Sequence, residues 1–204
     1  MRYEDEIVGK DTPDEDEPVQ AKKRKVERGN AMKSSLLLLR DIGIAAAVLI
    51  IILQFYKPTI VFEHSMEDTL HPDDYVFLAR QAYVFGEIET EDIIVFESKL
   101  MDDRGRPKSL IKRVIGLPGD IIEIKDGAVY RNGSMLYEPF IKGDVTPGAM
   151  DAEAVPEGSY FVLGDNRSVS MDSRAASVGY VTEDRIRGKV IFRLFPLSTA
   201  GVIR

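Results

Sequence analysis

At 204 residues with a net charge of −7, the chain has room for one ordinary hydrophobic core and gives no electrostatic reason to bind nucleic acid. It contains no cysteine, which excludes a disulfide framework and thiolate chemistry, and its two histidines leave little material for a zinc site.

The first twenty residues are dominated by Asp, Glu and Pro, with almost nothing apolar to offset the entropy of ordering. The charge then reverses through Lys22, Lys23, Arg24, Lys25, Arg28 and Lys33. Such a cluster occurs in nuclear localisation signals and nucleic-acid patches, but here it directly precedes an apolar run, which favours the positive-inside pattern of a membrane anchor.

That run, from about Leu36 to Tyr56, is roughly 21 residues long, enough at about 1.5 Å per residue to cross a hydrocarbon layer of about 30 Å. Arg40 and Asp41 are tolerable only near its edge, where Arg40 can snorkel to the headgroups. A buried core helix is opposed by the Ile42 to Leu53 segment, apolar on all faces. A cleavable leader is opposed by the long basic segment and by the lack of a small-x-small pair after the run. The expected organisation is a disordered cytoplasmic tail (1–34), a transmembrane helix (35–57) and an extracytoplasmic β domain (58–204).

Beyond the anchor, short β-branched and aromatic runs predict strands at Tyr75 to Leu78, Ile93 to Phe96, Leu110 to Ile115, Ile121 to Ile124, Ala128 to Tyr130, Tyr160 to Leu163 and Val190 to Phe195. Lys125-Asp126-Gly127 and Arg131-Asn132-Gly133 set hairpin turns between them. Lys99 to Lys108 reads as an exposed loop, and helix outside the anchor is expected only as a short turn around Met66 to His71.

Without cysteine or a metal cluster, hydrolysis needs an activated hydroxyl or paired carboxylates. Three stretches stand out: Ser65-Met66-Glu67-Asp68-Thr69-Leu70, the segment from Lys112 through Arg113 to Asp120, and Gly164 to Arg174, which contains Asp165, Asn166, Ser170 and Asp172. In this order, after one membrane helix, they resemble the type I signal peptidases of bacteria over about Val61 to Pro196. The resemblance implies a mainly β, signal-peptidase-like sandwich or barrel ectodomain. It implies a Ser-Lys dyad with Ser65 as nucleophile and Lys112 as general base, Ser170 hydrogen-bonded to the lysine, and Asp172 and Arg174 as a supporting charged pair. Gly164 and Asn166 would shape the turn that delivers this loop.

A lysine with pKa about 10.4 must be lowered by roughly three units to serve as a base at neutral pH, and burial can supply that shift. On a strand Lys112 shares a face with Leu110 and Val114, an apolar setting that disfavours the ammonium form. His64 is the decoy: adjacent strand residues point to opposite faces, so its ring should not reach the Ser65 hydroxyl, and His71 is a weaker candidate still.

Two positions depart from the family. Asp68 stands where many members have Pro, and Glu63 stands where some have an oxyanion-binding hydroxyl. A carboxylate aimed at the developing charge would repel it, so the Ser65 N–H becomes the expected donor. The family's substrates imply cleavage of signal peptides after small residues in an Ala-x-Ala-like pattern. A shallow apolar cleft, with Val61, Met66, Leu70 and Ile111, would admit a methyl group, and the substrate would add itself as a strand. No cofactor is required, the partners are preprotein signal peptides and the lipid bilayer, and a monomer is expected. The rival readings are a Ser-Lys autoprotease fused to a repressor, opposed by the anchor, and an inactive peptide-binding module, opposed by the intact Ser65, Lys112 and Ser170.

Overall fold

The structure, a computed structural model, describes residues 17–84 and 86–203. The chain divides into two compact units, Met1–Ile51 and Ile52–Arg204. Helix α1 spans Glu17–Phe55. Its Ser35–Phe55 part has a mean hydropathy of 2.6 over its most apolar window and none of that window is buried, so it is long and apolar enough to cross a membrane. The tail expected over 1–34 therefore differs from the structure: residues 1–16 lie outside the described residues, while 17–34 are helical. Ala, Gln, Glu, Lys and Arg, all good helix formers, fill that segment, and Pro18 sits in the first turn, where a missing N–H is tolerated. Arg40 donates to Asp41 at 3.0 and 2.8 Å, so the two charges at the edge of the apolar segment are paired.

The rest is mainly β. Among the described residues twelve strands follow: β1 (Tyr56–Ile60), β2 (Tyr75–Ala79), β3 (Ile93–Met101), β4 (Pro107–Gly116), β5 (Ile121–Lys125), β6 (Ala128–Arg131), β7 (Ser134–Met135), β8 (Met150–Ala154), β9 (Ser159–Leu163), β10 (Val181–Thr182), β11 (Ile186–Phe195) and β12 (Gly201–Val202). They form an eight-stranded sheet in the order β1-β2-β11-β3-β4-β9-β10, with β12 on β11, and a four-stranded sheet in the order β7-β6-β5-β8. Every pairing is antiparallel.

The central strands read as unbroken apolar runs because both faces are covered. On β3, Ile94 and Phe96 enter one core cluster while Ile93 and Val95 enter another. On β9, Tyr160 and Val162 face the first cluster while Phe161 and Leu163 join a third, built with Ile122, Ile124 and Val129 of the small sheet. All the predicted strands are present. The Lys99 to Lys108 loop is shorter than expected, since β3 continues to Met101 and β4 begins at Pro107; Asp102 closes the remaining turn by accepting from the backbone N–H of Arg104 and Arg106 at 2.9 Å each.

Two local devices set the geometry that matters for function. Asp126-Gly127 and Asn132-Gly133 all have positive φ (50°, 77°, 55° and 78°), the pattern of type I′ hairpins, and they fold β5, β6 and β7. β1 and β2 pair directly, yet the chain between them makes an excursion over 61–74 whose neck is closed by Val61 N–H to Asp74 O at 2.9 Å and Asp73 N–H to Val61 O at 2.8 Å. That excursion carries Ser65.

Candidate active site

Ser65 occupies a 3₁₀ turn, His64–Met66, which runs directly into the turn expected around Met66 to His71. Met66 and Leu70 anchor the turn in the second core cluster together with Val61, and Leu70 N–H donates to Met66 O at 2.7 Å. Ser65 itself is buried. Lys112 comes from the middle of β4, where it pairs with Ile94 of β3, and it is fully buried, as are Leu110 and Val114 at the alternate positions on either side.

Lys112 Nζ lies 2.7 Å from Ser65 Oγ, across 47 residues of sequence. Its other partner is the carbonyl of Ile111 at 3.0 Å. Burial is the main cause that draws the amine down to about 8, against the opposing pull of the Glu63 and Asp172 carboxylates. With a pKa near 8, about one molecule in ten carries the neutral amine at pH 7, compared with one in a few thousand for a free lysine. A neutral amine at this distance can accept the hydroxyl proton, so the pair has the geometry of an activated nucleophile.

The segment between β9 and β10 backs Ser65. Asn166 N–H donates to the Ser65 carbonyl at 3.0 Å. A Cβ at Gly164 would clash with both Ser170 Oγ and the Ser65 carbonyl oxygen, so this close approach needs glycine. Asp172 is buried and accepts from Arg174 Nε at 2.8 Å, Arg174 Nη2 at 2.9 Å and the Gly164 N–H at 3.1 Å. Arg174 also donates to the carbonyls of Arg167 and Pro147. The charged pair thus ties the loop to itself and is no loose surface bridge.

Ser170 departs from expectation. Its hydroxyl is buried beside Gly164 but has no hydrogen-bond partner among the described residues, so the expected bond to Lys112 is not made. The Ile111 carbonyl takes the place of that bond on the amine.

Val61, Met66 and Ile111 line a groove of about 640 Å³ that runs past Ser65, with Val95 beside them. Leu70, expected in this cleft, does not line it: it is enclosed in the core and braces the Ser65 turn. His64 diverges from the dyad as expected, although the cause is a 3₁₀ turn and not strand alternation; its side chain is 68% exposed and bonds Glu67 at 2.7 Å. Lys142, and after it His64, hold the Glu67 carboxyl down at about 2. His71 is exposed and contributes a backbone N–H to Asp74 at 3.0 Å.

Glu63 does not stand alone. Lys108 holds one of its oxygens at 2.6 Å, and the other lies 4.0 Å from Lys112 Nζ. Sequence reasoning also missed the buried pair of Arg113 and Asp165, joined at 2.9 and 2.7 Å. Thr69 donates to Asp165, and the Arg113 guanidinium lies 4.0 Å from the centre of the Phe140 ring. Arg113 follows Lys112 and Asp165 precedes Asn166, so this pair locks β4 to the loop that holds the Ser65 carbonyl.

The family described as signal peptidase, peptidase S26, matches residues 35–195. Signal peptidase IB of Staphylococcus aureus (strain N315) is 36% identical over 186 residues, covering 82% of this chain and 93% of its own. Signal peptidase I of Bacillus licheniformis is 33% identical over 183 residues, covering 84% and 95%. A crystal structure of a signal peptidase I from Enterococcus faecalis V583 aligns with 33% identity and a TM-score of 0.41, over 51% of this chain and 97% of that one.

Proposed function

Since the chain belongs to the signal peptidase family, peptidase S26, and is a serine endopeptidase that cleaves signal peptides, we propose that Ser65 is its nucleophile and Lys112 its general base. The observation that carries this reading is a buried amine 2.7 Å from a buried hydroxyl. Neutral Lys112 takes the Ser65 proton as Oγ attacks the scissile carbonyl, and the resulting ammonium returns it to the leaving amine. The released fragment leaves an acyl-enzyme, and Lys112 then deprotonates the water that hydrolyses it. The Ser65 N–H is the proposed oxyanion donor.

The substrate is the signal peptide of an exported preprotein, cut after small residues in an Ala-x-Ala-like pattern. Val61, Met66 and Ile111 give the groove its apolar wall. β9 pairs with β4 only from Arg113 onward, and no other strand takes up that edge over 107–111 among the described residues. An extended peptide can add itself there and gain main-chain hydrogen bonds. Ser35–Phe55 is proposed to span the membrane once, with the basic segment on the cytoplasmic side and the β domain outside. The enzyme is proposed to act as a monomer.

The assignment is tested by cleavage of a model preprotein by full-length protein in detergent, with product ends mapped by mass spectrometry. Ser65→Ala and Lys112→Ala are each expected to lower the rate by about 10²–10⁴-fold or more, while His64→Ala keeps most activity. Comparable activity in Lys112→Ala would defeat the dyad.

A further inference from the structure

Glu63 is the last extended residue before the Ser65 turn (φ −110°, ψ 153°), and Lys108 lies four residues before Lys112 on β4. Residues at even spacing project from the same side of a strand, and the two lysine side chains converge on one carboxylate: Lys108 at 2.6 Å from Oε1, Lys112 at 4.0 Å from Oε2. Glu63 and Lys108 both line the groove, with side chains 37% and 47% exposed, whereas Lys112 is wholly buried.

We propose that Glu63 and Lys108 are a positioning pair for the base: Glu63 joins the nucleophile segment to the base strand and holds the proton on Lys112, and Lys108 limits that hold. This rests on the Ser65–Lys112 reading above.

The charged groups facing Lys112 are Glu63 from the nucleophile segment, Lys108 from its own strand, and Asp172 and Asp165 from the segment after β9. Both aspartates are already satisfied, by Arg174 at 2.8 Å and by Arg113 at 2.7 Å. Glu63 is the remaining carboxylate, and its counter-charge is a partly exposed lysine and not a buried arginine. Its pull favours the ammonium form of Lys112, and Lys108 acts in the opposite direction. The position two residues before the nucleophile, where a carboxylate would repel an oxyanion if free, is thus occupied by one already engaged by two amines.

The test is the pH dependence of kcat/KM for the full chain in detergent, using a peptide without charges near the cleavage site, since this profile reports ionisation in the free enzyme. Loss of the Glu63 charge makes neutral Lys112 available at lower pH, so Glu63→Gln is expected to move the acid limb down by about one unit. Lys108→Met exposes Lys112 to the full Glu63 charge and is expected to move the limb up. The double variant is expected to fall between the two. An acid limb that stays at the wild-type pH in Glu63→Gln would overturn the inference, whether the plateau falls, as for a plain structural bridge, or rises, as for relief of oxyanion repulsion. A wild-type profile with no acid limb, or activity retained in Lys112→Ala, would remove the dyad reading itself and this inference with it, a result distinguishable from an unmoved limb.

Discussion

Lys112 acquires its chemistry from position and not from residue type. A lysine on an exposed strand is a solvated cation; the same residue at the centre of β4, paired with β3 and wholly buried, loses the water that stabilises its charge. The motif made it visible in the sequence, but the competition around it was not legible. Glu63 could be read as an anomaly, while its capture by Lys108 depends on two side chains 45 residues apart meeting across the groove. The Ser170 bond was not legible for a related reason: a hydroxyl in a familiar motif does not fix the direction of its bond, and here the Lys112 amine donates to the Ile111 carbonyl. Because that hydroxyl has no partner, Ser170→Ala is expected to leave thermal stability unchanged within about 1 kcal/mol, measured by differential scanning calorimetry in detergent. Gly164→Ala is expected to behave oppositely, folding but losing most cleavage activity, because its methyl group would press on the Ser65 carbonyl.

Among the elements, β5, β6 and β7 were legible because Asp-Gly and Asn-Gly specify their turns locally. β8 was not, since Asp151, Ala152, Glu153 and Ala154 lie exposed on a sheet edge and carry no strand pattern. β1 was hidden by Pro58 and by its direct continuation from the apolar helix. The bond between elements that most needs a structure to be seen is Arg113–Asp165, which spans 52 residues and has almost no solvent exposure. Removing one member leaves the other charge buried without compensation. Asp165→Asn is therefore expected to destabilise the β domain by about 3–5 kcal/mol, lowering Tm by about 10 °C, and to lower activity through the loss of the Asn166 contact to Ser65. A Tm within about 2 °C of the unsubstituted protein would show that the pair is not needed to hold the two elements together.

At the scale of the whole molecule, the proposed reading gives location to the Ser35–Phe55 helix, long and apolar enough to cross a membrane, and chemistry to the β domain. Hydropathy made the helix legible, whereas its extension back to Glu17 was obscured by charges that suit a helix and a flexible tail equally well. The proposed orientation predicts that protease added outside intact cells digests the β domain and spares the basic segment before Ser35, read out by antibodies to each end. In the proposed mechanism the chemistry comes down to the charge on one amine. The most direct measurement is an NMR titration of the full chain in micelles with ¹⁵N-labelled lysine, the Lys112 signal being assigned by its loss in Lys112→Arg. A midpoint near 8 is expected for Lys112, and a midpoint near the ordinary lysine value of about 10.4 would contradict the account.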